Sequence, residues 1–78
     1  MNLTTYRKLI HSVRSLCVRL ASKPADRELS LKRLARSCAQ LQCADCPHRE
    51  PGDVVRAHEW MQRARTLLMA AEVEDGSA

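Results

Sequence analysis

The stretch "TYRKLIHSVRSLCVRLASKPADREL", Thr5 to Leu29, decides the fold, because a helical apolar stripe runs along it, stops and starts again. Tyr6, Ile10, Val13, Cys17 and Leu20 recur at intervals of four and three, and Leu9 and Leu16 widen the stripe, so one apolar face lies on a helix from about Thr4 to Ala21. Asn2 and Thr4 are both suitable caps for its start. "SKPADREL" then breaks the chain and restarts it. Pro24 suits a first helical position, and Asp26 and Glu28 put negative charge in the first turn, against the positive end of the helix dipole.

Working outward, a second helix is predicted from about Pro24 to Leu41, with Leu31, Leu34, Cys38 and Leu41 inward and Lys32, Arg33 and Arg36 outward. "CADCPHREPGD", from Cys43 to Asp53, reads as a loop by its Pro, Gly and Asp, and Asp53 is a natural cap for a third helix. There Val54, Ala57, Met61, Ala64, Leu68 and Ala71 keep a three-four alternation, a narrow seam of the kind that packs between neighbouring helices. Short connections make sequential helices antiparallel neighbours. The expectation is an all-α, antiparallel three-helix bundle with helices at about 4–21, 24–41 and 53–72, a single domain over 1–72 and an acidic, disordered tail over 73–78.

A chain of 78 residues with no Phe, one Trp and one Tyr has little apolar area to offset its chain entropy. A metal staple or a second copy of the chain would supplement such a core, so a homodimer is among the arrangements expected.

Formal charge is +4, unevenly spread: residues 1–40 carry nine Lys/Arg against Asp26 and Glu28, and residues 41–78 carry four against seven acids. The basic first half could meet nucleic acid, an acidic protein surface or anionic lipid, though a solvated helix face explains charge alone. No apolar run approaches the ~18 residues of a membrane span, and the opening residues lack the pattern of a secretory signal. Residues 1–25, basic and free of acids, share the composition of a mitochondrial transit peptide, but their apolar stripe is needed by the small fold. A cytoplasmic protein is expected.

The chemistry-bearing residues gather in "SCAQLQCADCPHRE", Ser37 to Glu50, which holds three of the four cysteines. Cys43 and Cys46 have the two-residue spacing that lets both thiolates of a loop face one metal, and Cys38 lies at the end of the helix leading into it. A simple hairpin of the second and third helices places Cys38 level with Ala57 and His58. A structural zinc held by Cys38, Cys43, Cys46 and His58 is therefore expected, with His48 the alternative fourth ligand and His11 a weaker one, while reduced thiols or a disulfide remain alternatives. Cys17 falls too far along the first helix to join and is read as an inert core residue.

No enzyme is expected: no Gly-rich phosphate loop or Ser–His–Asp pattern is present, and helix capping accounts for most of the acids. Nucleic-acid binding has Arg7, Arg14, Lys32, Arg33 and Arg36 to contact phosphates, but no aromatic in the patch to stack on bases. The preferred reading is a small adaptor or inhibitor that lays its helices against a larger protein, with Trp60 as a candidate anchor. Trp60 could equally fill a core that lacks Phe. Size, arginine content and the absence of an enzymatic constellation suit a regulatory or host-targeting protein of a bacterium or mobile element; the alternative is a basic nucleic-acid-binding regulator with a structural zinc.

Overall fold

The computed structural model describes residues 1–76, which form three helices: α1 (Leu3–Ala21), α2 (Arg27–Gln42) and α3 (Pro51–Gly76). All three pairs of helices pack together, and no strand occurs among the described residues. The chain is a small all-α three-helix bundle.

The face expected of α1 is the face it buries: Tyr6, Ile10, Val13, Cys17 and Leu20 all point into the core. Asn2 caps the helix, its Oδ1 accepting from the Thr5 amide at 2.8 Å. At the other end Lys23 adopts a positive φ of 51°, the left-handed geometry that closes helices, and its amide donates to Leu20 O at 3.2 Å. Because Lys23 and Pro24 complete that turn, α2 begins at Arg27, three residues later than expected, with Asp26 in the cap position. The Asp26 carboxylate makes no cap hydrogen bond; it accepts instead from Arg19, with Nη2 at 2.9 Å from both oxygens, tying α1 to α2 across the turn.

On α2 the buried residues are Ser30, Leu34 and Leu41, with Leu31 and Cys38 only half-buried. Ser30, 2% exposed, was not anticipated in the core; a side chain this small lets neighbouring backbone approach. The same holds on α3, whose innermost positions are Ala57, Ala64 and Ala71, each seven residues from the next.

α3 starts at Pro51, two residues before the expected cap, so Asp53 lies inside the first turn. Its carboxylate reaches back to accept from the Glu50 amide at 3.2 Å, one half of a capping box. The helix continues to Gly76, past the expected end at 72, so the first part of the expected tail is helical; residues 77–78 of that tail lie outside the described residues. No helix among the described residues is long and apolar enough to cross a membrane.

Candidate functional site

The four expected ligands, Cys38, Cys43, Cys46 and His58, are not gathered into one group among the described residues. Cys46 is fully buried and joins the core cluster with Tyr6, Ile10, Leu41 and Ala57. Cys43 caps the end of α2 and is exposed, while Cys38 is half-buried against Met61, Arg65 and Leu68. The hollow that Cys38 lines is shared with Met61, Arg65 and Leu68, not with Ala57 or His58. His58 is exposed and pairs with Gln62 at 3.1 Å, His11 pairs with Ser15 at 3.4 Å, and His48 is exposed in the loop. Among the described residues, no group of three or more Cys, His, Asp or Glu converges as a metal would require. Burial raises the Cys17 thiol to about 11, with Cys38 adding to the effect and Arg63 opposing it; burial likewise raises Cys38. Such thiols stay protonated near neutral pH and are poor nucleophiles.

What the fold does bring together lies between α1 and α3, which run parallel. Arg7, Arg14 and Ala21 on α1 stand opposite Asp53, Trp60 and Leu67 on α3, each set spaced by seven residues. The first rung is ionic: Arg7 Nε and Nη2 donate to Asp53 Oδ1 and Oδ2 at 3.2 and 3.3 Å. Arg7, together with the Glu50 amide, holds the Asp53 carboxyl below the usual carboxylate range. Asp53 is 4% exposed, so Arg7 serves the fold here and its guanidinium is occupied. In the second rung the Arg14 guanidinium lies 5.9 Å from the centre of the Trp60 ring, and Arg63 approaches the same ring at 4.6 Å. Half-buried Trp60 thus carries two cations on its π face. The third rung, Ala21 and Leu67, is apolar.

Trp60 divides the α1–α3 groove into two hollows. One, of about 470 Å³, is lined by Arg7, His11, Arg14, Asp53, Arg56 and the edge of Trp60. The other, of about 420 Å³, is lined by Cys17, Val18, Ala21, Trp60, Leu67 and the stem of Arg63, and is almost wholly apolar. Val18, 56% exposed, stands at its edge. Of the residues singled out in the sequence, Trp60 and Arg14 meet at this groove, whereas Lys32, Arg33 and Arg36 lie exposed on α2. Val18, Arg56, Arg63 and Leu67 escaped sequence reasoning; the seven-residue spacing of residues 53, 60 and 67, matched by 7, 14 and 21, is the signal that would have found the groove. The class of protein defined here is a three-helix bundle with a tryptophan-centred, arginine-flanked groove. Neither a family model, nor a curated protein, nor a solved structure matches this chain.

Proposed function

We propose that this protein is a small, non-enzymatic adaptor or inhibitor that binds a larger protein in the α1–α3 groove. The observation that carries the reading is Trp60, half-buried, closing an apolar hollow while Arg14 and Arg63 flank its ring. A Trp with its neighbours desolvated on one side and charged at the rim has the composition of a binding hot spot. The hollow between Val18, Ala21, Trp60 and Leu67 accepts a large aliphatic or aromatic side chain, and the arginines at its rim complement carboxylates beside that side chain. The partner segment is therefore an amphipathic one in which a large apolar residue is followed or preceded by Asp or Glu.

A peptide-display selection against the full chain, counter-selected on W60A, tests this. Enrichment of acidic segments with a central large apolar residue is expected, and their binding should shift Trp60 fluorescence and be lost in V18D. Enriched sequences that bind W60A and V18D as well as the native chain would refute the reading. So would a concentration-dependent dimer that V18D dissolves, because the groove would then be filled by a second copy.

A further inference from the structure

A third hollow lies on the opposite flank of α1, in the seam with α2, and its chemistry differs from the groove's. Its lining is His11, Ser12, Ser15, Arg33, Arg36 and Ser37 together with Leu16, and its volume is about 370 Å³. It contains two guanidinium groups, three hydroxyls and an imidazole, and no carboxylate. Neither Arg33 nor Arg36 is held in an ion pair among the described residues, and Asp26 on the same helix start is already bound by Arg19. Guanidinium and hydroxyl groups lining one hollow without an acid are the donor set that phosphate oxygens require.

His11 also lines the polar hollow across α1, where Arg14 and Arg56 stand and where the carboxylate of Asp53 is engaged by Arg7. The two hollows thus form a basic band that crosses α1 at His11, from Arg33 and Arg36 on one side to Arg14 and Arg56 on the other. We propose that this band holds the phosphodiester backbone of a nucleic acid, independently of sequence, with one phosphate between Arg33, Arg36 and the Ser15 and Ser37 hydroxyls and further phosphates passing over His11 to Arg14 and Arg56. A chain of regularly spaced charges can occupy both hollows, whereas a single phosphorylated side chain fills one. An anionic membrane finds no large exposed apolar residue in the band to insert. The site goes beyond the protein-binding reading: it shares Arg14 and the Trp60 wall with that groove but does not use the apolar hollow.

The test is fluorescence anisotropy of a labelled 20-base-pair duplex with the full chain at ~50 mM salt, repeated as salt is raised. With four arginines on the band, the slope of log affinity against log salt is expected near about −3 to −4, from roughly −0.9 per phosphate neutralised. R33A/R36A is expected to weaken binding at least tenfold and to bring the slope to about −2, and S15E to weaken it without removing a cation. The control R49A/R65A removes equal charge off the band and should retain most of the affinity. All these substituted side chains are exposed, so circular dichroism should show each variant folded. Absence of binding at low salt, or equal losses in R33A/R36A and R49A/R65A, would overturn the proposal. Tighter, R33/R36-dependent binding to vesicles containing phosphatidylserine than to the duplex would also overturn it.

Discussion

Replacing Cys46 separates a core plug from a metal ligand. The Cys46 thiol is fully buried in the core cluster that also holds Tyr6, Ile10, Leu41 and Ala57. Cys46→Ala removes about one methylene's worth of apolar burial, ~0.8 kcal/mol, and leaves a cavity of roughly 20 Å³ costing ~0.5 kcal/mol, a loss of about 1–1.5 kcal/mol. Cys46→Ser loses the same apolar contact and adds a hydroxyl in an apolar pocket, which costs a further ~1–3 kcal/mol, so the total is about 2–4 kcal/mol. At roughly 0.05–0.15 kcal/mol per residue the whole fold is stable by only about 4–12 kcal/mol, so the difference is large. With a urea slope of ~1 kcal/mol per molar, helicity followed by circular dichroism should show the midpoint lowered by about 1–1.5 M for Ala and about 2–4 M for Ser. EDTA should leave the native curve unchanged. If Ala and Ser fall together and EDTA alone reproduces their loss, Cys46 is a zinc ligand and the plug reasoning is wrong.

Other substitutions probe the turns and the seam. Lys23→Gly relieves a left-handed residue and should raise stability by about 1 kcal/mol in the same urea assay; a lowered midpoint would show that Lys23 makes a stabilising contact. Ala64→Leu forces three extra carbons into a fully buried position and should destabilise by about 1–3 kcal/mol, read as a fall in thermal midpoint of roughly 5–20 °C; an unchanged midpoint would mean that α3 does not pack by its alanines. Asp53 and Asp26 titrate below the ordinary carboxylate range because Arg7 and Arg19 hold them ionised, so their stabilisation is complete above about pH 4 and lost as pH falls through the lowered folded values. Acid titration of R7M and R19M should therefore give shallower acid limbs than the native chain, and parallel limbs would refute the assignment.

The fold was legible because periodicity is a strong signal where a helix buries a single face. Tyr6, Ile10, Val13, Cys17 and Leu20 read correctly for that reason. Helix starts were displaced by two or three residues because Pro24, Asp26 and Asp53 each suit more than one position at a helix entrance, and tertiary partners chose among them: Arg19 took Asp26, and Arg7 took Asp53. α3 was harder. Its alanine seam is flanked on one side by Met61 and Leu68 and on the other by Asp53, Trp60 and Leu67, and the acid at the head of the second flank hides it as a stripe in sequence. The cysteine corner is ambiguous in sequence because C-x2-C spacing is common to metal loops and to a loop that uses one thiol as a small apolar side chain. Burial distinguishes them, and burial is a property of the third dimension.

The ladder between α1 and α3 also fixes their alignment. Ala57, Ala64 and Ala71 repeat every seven residues, so a slide of one heptad would present an equivalent surface, and nothing in their packing alone forbids it. Such a slide would set Trp60 against Arg7 and Leu67 against Arg14, leaving the inward carboxylate of Asp53 with no guanidinium. The opposite slide would give Asp53 the side chain of Arg14 but take Arg14 away from Trp60 and carry Leu67 past the end of α1. Three rungs of unlike chemistry make the degenerate repeat unique, and Asp53 acts as the index mark from which the bundle counts its register.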